Sequence, residues 1–448
     1  MKKNDVIQIK IESISSDGNG IGHYDGMAVF VPYSAAGDHL VVRIERVEKA
    51  YCYGRIISVI VPSCDRIPPD CELFGKCGGC SFRHINYEAE LNAKQEFVES
   101  ALRRIGKIDH PVLPIIYSDK QFFYRNKAQY PVGTVDGKLY AGFFAPRSHR
   151  LLSFLSPCRL QPEIFHSLAT DVCEILNNLG CTSYNETSHT GLIRHLLIRQ
   201  SSVDNSLLLT IVINGEKLPN ETHFVSSLTS KYDSLRSISI SVNTQRGNTI
   251  LSPDIRLIYG TPSIPDEILG IPVAVTPLSF FQINHAATEL LYLHIKDLVE
   301  KSHAHTIFDL YCGAGTIGLS VTGTEHNLYG IEIVEDAINS AILSAKTIGR
   351  ANAHFLLGDA NKVKSLLGEG LSPDLIITDP PRKGCSPEVL DLLVQSNCAN
   401  LIMVSCNAAT LARDLQYLTD NGYSIHSIQP FDMFPRTKHV ETVCCLYR

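Results

Sequence analysis

Thr306-Ile-Phe-Asp-Leu-Tyr-Cys-Gly-Ala-Gly-Thr-Ile-Gly318 reads as a strand running into a glycine turn and then a helix. Gly313, Gly315 and Gly318 fit G-x-G-x-x-G, a pattern in which absent side chains let the backbone approach a ligand closely. The next strand, Leu328-Tyr-Gly-Ile331, ends in Glu332, nineteen residues after Gly313. An acid there can accept hydrogen bonds from ribose hydroxyls. The expected fold is a Rossmann-like α/β sheet. NAD and S-adenosylmethionine fit this pattern equally, so it leaves the ligand open.

Further along, Asp374-Leu-Ile-Ile-Thr-Asp-Pro-Pro-Arg-Lys-Gly384 is a strand that stops in Asp379-Pro-Pro. It sets a carboxylate in stiff backbone at the carboxyl edge of the sheet. Such a turn is typical of methyltransferases acting on planar substrates and unexpected in dehydrogenases. Asp359, after Phe355-Leu-Leu-Gly358, is a candidate adenine-side contact. The apolar run Asn400-Leu-Ile-Met-Val404 reads as a buried strand delivering Ser405 and Cys406, with a helix expected over 408–418. A thiol beside a helix N-terminus can be held partly as thiolate, the nucleophilic form. A last strand is expected over 440–447, with Glu441 at its start. A desolvated carboxylate near a nucleophile can serve as a general base.

Toward the N-terminus, residues 6–60 read as short strands split by glycine turns, a small β-barrel. A proline- and glycine-rich loop follows with Cys71, Cys77 and Cys80 spaced C-x5-C-x2-C. Three soft thiolates suit zinc or an iron–sulfur cluster. Cys158 is the natural distant fourth ligand and Cys64 its competitor. A structural zinc site usually pairs two such knuckles, and a single knuckle tilts the reading to a 4Fe-4S cluster. A helix is expected over 86–105, closed by Gly106, and strand-rich segments over 117–156, 192–200 and 206–214. Between Gln121 and Leu160 stand six basic residues, Arg125, Lys127, Lys138, Arg147, Arg150 and Arg159, against one acid, Asp136. Interleaved aromatics such as Tyr124, Tyr130 and Tyr140 can stack on unpaired bases or fill a core.

Composition sets the outer bounds. The chain has 448 residues, 44% hydrophobic and 19% charged, as ordinary globular domains do. A formal net charge of −6 excludes a uniformly basic coat, so any nucleic-acid face must be local. No run of about eighteen apolar residues occurs, so no membrane helix is expected. The start, Met-Lys-Lys-Asn-Asp, lacks a signal-peptide core, and a cytoplasmic location is expected. In a reducing compartment, fourteen cysteines point to metal or catalysis rather than disulfides.

Taken in order, Cys-x5-Cys-Gly-Gly-Cys, Phe281-Gln-Ile-Asn284, Asp309-Leu-Tyr-Cys-Gly-Ala-Gly315, Asp379-Pro-Pro-Arg-Lys-Gly384, Ser405-Cys-Asn-Ala-Ala-Thr410 and His439-Val-Glu-Thr-Val443 resemble the RumA/TrmA class of RNA uridine C5-methyltransferases. The N-terminal strands resemble a TRAM domain. TRAM-like barrel plus cluster cysteines resembles the ribosomal-RNA branch of the class. The resemblance implies a TRAM/OB-like barrel over 1–60, a central α+β domain with the iron–sulfur loop over 61–265, and a methyltransferase domain over 266–448. It implies Cys406 as nucleophile and Glu441 as base. Gln282, Tyr311, Glu332 and Asp379 would contact S-adenosylmethionine, and Cys71, Cys77, Cys80 and Cys158 would hold the cluster. The implied activity is methyl transfer to C5 of a uridine in 23S ribosomal RNA, with RNA as partner and no obligate protein partner. Two departures stand out: Ala408 where a proline is usual, and Thr316 where some members carry asparagine. The competing readings are the same chemistry on tRNA, an NAD-dependent iron–sulfur oxidoreductase, a radical S-adenosylmethionine enzyme, and a non-catalytic RNA-binding protein.

Overall fold

The structure, a computed structural model, describes residues 1–146, 148–153, 156–363 and 371–448. Arg147 of the basic stretch lies outside the described residues. The chain divides into two compact units. The first joins Met1–Tyr117, Pro380–Leu390 and Met403–Arg448, and the second joins Ser118–Asp379 and Asp391–Ile402.

The first unit begins with a six-stranded sheet in the order Val6–Lys10, His39–Val47, Tyr51–Val61, Met27–Pro32, Asn19–Tyr24, Ser13–Ile14. Alternation places Ile7, Ile9, Val29, Val31, Leu40, Val42 and Ile44 in one core. Val6–Lys10 and Ser13–Ile14 are separate strands. The break is at Ile11, whose amide donates to Asp38 O and whose carbonyl accepts from Gly37 N, both at 2.8 Å. The cysteine loop leads to Asn86, which caps the helix Tyr87–Ala101 by accepting from Ala89 N at 2.8 Å. The expected single helix to 105 instead widens into a π turn, Leu102–Gly106. The amide of left-handed Lys107, at φ 53°, closes that turn onto Leu102 O. At the other end of the sequence, Ala408–Asp420 is a helix. Ser424–Asp432 then runs antiparallel to Glu441–Tyr447 and parallel to Ile116–Tyr117.

The second unit holds a seven-stranded sheet, in the order Leu151–Ser153, Lys138–Phe144, Lys127–Val135, Ile193–Gln200, Leu207–Ile213, Leu235–Val242, Ile255–Gly260. Its helices Glu163–Asn178 and Glu221–Thr229 share a core with it that includes Phe165, Val172, Leu196, Leu209, Phe224 and Ile238. Tyr124 and Tyr130 are buried, so these two aromatics are core, whereas Tyr140 is exposed. A hairpin, Ile264–Ile268 with Ile271–Val275, leads on to the helix His285–Ser302. The unit then carries four parallel strands ordered Ala353–Leu357, Asn327–Glu332, Thr306–Leu310, Leu375–Thr378. The sequence pattern alone assigns no elements over 215–279. The strand Leu235–Val242 there alternates serine with isoleucine, yet nearly every residue is buried, because Ser239 pairs its hydroxyl with Thr210 at 2.8 Å.

Candidate active site

In the second unit, four of the sequence candidates lie along one edge, where the parallel strands end. Tyr311 follows Thr306–Leu310, Glu332 closes Asn327–Glu332, Asp359 follows Ala353–Leu357, and Asp379 follows Leu375–Thr378. Open α/β sheets place their ligands at this edge. The glycine turn there is built for close approach. Tyr311 is left-handed at φ 68°, as are Gly313 at 54° and Gly315 at 73°. A Cβ on Gly313 would meet nothing within 4 Å, whereas one on Gly315 would lie 2.8 Å from the Phe355 ring. The first glycine therefore opens onto free space, and the second is filled from behind.

Glu332 is already occupied by backbone. Its Oε2 accepts from Gly313 N at 3.1 Å, and its Oε1 accepts from Ile333 N at 2.9 Å and Val334 N at 3.0 Å. A carboxylate offers about four lone-pair positions, so room remains for a ribose hydroxyl. Asp359 is exposed and accepts from Asn361 N at 3.1 Å, capping the turn Ala360–Lys362. The Gln282 carbonyl accepts from Asn126 Nδ2 at 2.9 Å, and Asn126 N donates to Ile283 O at 3.0 Å. Asn284 is fully buried and caps the helix His285–Ser302. The Phe-Gln-x-Asn motif is thus stitched to Arg125–Asn126 of the basic stretch. In that stretch, burial and the neighbouring Arg199 push Lys127 down to about 8.

Asp309 was missed as a candidate. It is fully buried at the strand's end and accepts from Gly318 N through Oδ2 at 3.0 Å. Burial pushes its carboxyl up to about 7; the Gly318 amide opposes this, and the charges of Asp379 and Glu332 add to it. Asp379 keeps part of its surface exposed, but its carboxyl is enclosed, and burial pushes it up to about 7 as well. The signal in the sequence was an acid inside an otherwise apolar strand.

The strand Asn400–Ser405, buried over Leu401–Ser405, ends one residue before half-buried Cys406, which belongs to the first unit. The turn is locked by its own side chains. Ser405 Oγ accepts from Asn407 N and donates to Asn407 O, both at 3.2 Å. Asn407 Oδ1 caps the helix through Ala409 N at 3.0 Å, and its Nδ2 donates to Arg382 O at 3.1 Å. Thr410 Oγ1 donates to Asn407 O at 3.1 Å. Each polar residue of Ser-Cys-Asn-x-x-Thr therefore fixes backbone around Cys406, beside the positive end of the helix. The Pro-Pro-Arg-Lys-Gly turn is tied to the same helix, with Cys385 N donating to Asp414 Oδ2 at 2.9 Å. Glu441 is buried at the first position of its strand, paired in register with Phe431.

Cys71, Cys77 and Cys80 are half-buried on their loop, while Cys158 belongs to the second unit. Phe74 N donates to Cys71 O at 3.0 Å and Cys77 N to Leu73 O at 2.9 Å, and buried Arg83 donates to Cys80 Sγ at 3.3 Å. Among the described residues no group of three or more His, Cys, Asp or Glu side chains is set to hold a metal ion. In the described residues no helix is long and apolar enough to cross a membrane.

Comparison with known proteins fits this geometry. Residues 86–448 match the family described as tRNA (Uracil-5-)-methyltransferase, and residues 2–57 match the TRAM domain. An uncharacterized RNA methyltransferase of Halalkalibacterium halodurans is 37% identical over 100% of this chain and 98% of its own. One from Listeria innocua is 35% identical over 100% and 98%. The crystal structure of Pyrococcus abyssi tRNA (uracil-54, C5)-methyltransferase in complex with S-adenosyl-L-homocysteine superposes with a TM-score of 0.78. It is 25% identical and covers 98% of this chain and 100% of that one. The class is that of S-adenosylmethionine-dependent methyltransferases. Within it, the chain belongs to the RNA uracil-5-methyltransferase family and carries an N-terminal TRAM domain.

Proposed function

We propose that the chain methylates C5 of a specific uridine in 23S ribosomal RNA, with Cys406 as nucleophile and Glu441 as base. The supporting observation is the locked turn that holds Cys406 between a buried strand and a capped helix N-terminus. C5 of uracil is too weak a nucleophile to take a methyl group unaided. Thiolate addition from Cys406 to C6 makes an enolate with charge at C5. That carbon takes the methyl from the sulfonium, and S-adenosylhomocysteine leaves. Glu441 then removes the C5 proton, and the electron pair of that C–H bond expels Cys406 from C6. Gln282, Tyr311, Glu332, Asp359 and Asp379 are assigned to the methyl donor, a reading supported by the open space beside Gly313. The target base must leave its stack, at least cost in a loop.

The finer reading keeps the division at 60/61 and 265/266, the N-terminal sheet as an OB-like barrel, and a cytoplasmic location. It also keeps a 4Fe-4S cluster on Cys71, Cys77, Cys80 and Cys158, on the strength of the thiol donor set alone. Iron and acid-labile sulfide in protein purified without oxygen test that assignment. The same chemistry on tRNA is the second reading, favoured by the tRNA substrate of the Pyrococcus abyssi enzyme. Labelled S-adenosylmethionine with unmodified ribosomal RNA and tRNA in separate reactions, read by nucleoside mass spectrometry, decides between them. 5-Methyluridine in ribosomal RNA alone, lost in Cys406→Ala, is the expected result. Label in tRNA overturns the substrate, and none in either RNA overturns the activity.

A further inference from the structure

The helix Tyr87–Ala101 presents Tyr87, Glu90 and Lys94 on one face, at spacings of three and four. All three grip the segment that follows the strand Ser424–Asp432. Lys94 Nζ donates to Glu90 Oε1 and Asp432 Oδ1 at 2.7 Å and to Phe434 O at 3.2 Å, which uses its three protons. Tyr87 OH donates to Asp432 Oδ2 at 2.7 Å. Glu90 Oε1 accepts from Arg436 N at 2.6 Å, and the Arg436 guanidinium stands over the Tyr87 ring and donates to Ile85 O at 3.2 Å. Glu90, Lys94 and Asp432 are all fully buried. Desolvating these charges, with buried Arg436 also 3.6 Å from Glu90 Oε2, is costly, and apolar residues would hold two elements together as well or better. What charges add is directional geometry, and here it is spent on one turn.

That turn spans residues 433–440, between Asp432, the last residue of its strand, and Glu441, the first residue of the next, whose register partner is Phe431. Arg436 sits within it in the left-handed region at φ 69°, a conformation its backbone holds while its amide is bound by Glu90. The Arg436 carbonyl accepts from Ser81 N at 2.8 Å and Phe82 N at 3.2 Å, the two residues after Cys80. We propose that Tyr87, Glu90, Lys94 and Asp432 are positioning residues for proton removal: they set the turn that presents Glu441, and tie it to the end of the cysteine loop. This rests on the reading of Glu441 as the base.

The reaction separates the two failures. A misplaced base leaves thiolate addition and methyl transfer intact but slows loss of the C5 proton, so methylated enzyme–RNA adduct accumulates. Tyr87→Phe removes one hydrogen bond without unpairing a charge, and Asp432→Asn keeps the shape while removing a charge. Both are run with RNA carrying protium or deuterium at uridine C5. The expected result is single-turnover methyl transfer close to the parent, turnover lowered about tenfold or more, denaturation-resistant labelled adduct, and a larger deuterium effect on turnover. Restored turnover in Glu90→Gln/Lys94→Met/Asp432→Asn, which neutralises these three and leaves only the Arg436 charge, overturns the requirement for their charges. Equal loss of methyl transfer and turnover in folded Tyr87→Phe, with no adduct, overturns positioning, as does unchanged turnover in both variants. Glu441→Gln is the control. If it fails to trap methylated adduct, the assignment of the base falls whatever the network does.

Discussion

At the scale of single residues, the two glycines of the donor turn make opposite predictions. Gly315→Ala forces a Cβ against Phe355 and Ala341 at a left-handed φ, so it should destabilise the fold by roughly 2 kcal/mol or more, read in urea melts. Gly313→Ala meets no neighbour and should cost about 1 kcal/mol in stability, while weakening S-adenosylmethionine binding in calorimetry far more. Asp309 and Asp379 carry the pH dependence. Both titrate near about 7 folded and roughly 4 unfolded. Between those values the folded chain holds more protons, so unfolding free energy falls as pH rises through the window and levels off above it. Asp309→Asn should flatten that slope in denaturation at a series of pH values. The positions of Cys406, Glu332 and Asp379 at strand ends were legible in the sequence, because an apolar run shows where its strand stops. Asp309 was not, because nothing in a linear string says which acid inside a strand has no water.

At the scale of elements, boundaries followed caps. Asn86, Asn284 and Asn407 each accept from an amide two or three residues on, and each marks the start of a helix; those after Asn86 and Asn407 were expected from the sequence. Asn407→Ala loses both the cap and the bond to the Arg382 carbonyl. It should cost about 1–2 kcal/mol, and thiol-labelling of Cys406 should speed up as the turn loosens. The π turn at Leu102–Gly106 was not legible. It arises where Gly106 passes under the Ala412 carbonyl, which a Cβ would approach to 2.8 Å. The buried strand Leu235–Val242 was missed for a similar reason, since its serines read as surface until Thr210 supplies a hydroxyl partner.

At the scale of the whole molecule, the TRAM domain is joined to the cysteine loop by more than chain continuity. Arg66 donates to both Asp38 oxygens at 2.8 and 2.7 Å, and buried His84 lies 3.1 Å from Ser34 O. Deleting residues 1–60 should therefore lower the melting temperature of the remainder and expose the 62–86 loop to protease, which limited proteolysis reads directly. Motif order made the family legible along nearly the full chain. The interleaving of the units did not show, because no local pattern records that Met403–Arg448 folds with Met1–Tyr117. That interleaving has a cost in time. Lys94 leaves the ribosome 338 residues before Asp432, a wait of roughly 20–70 s at ordinary elongation rates. Through that interval the nascent helix carries a cation and a carboxylate meant for an interior that does not yet exist. That helix is thus made early and completed late, and a chain that stalls before Asp432 would be a client for chaperones rather than a shorter enzyme.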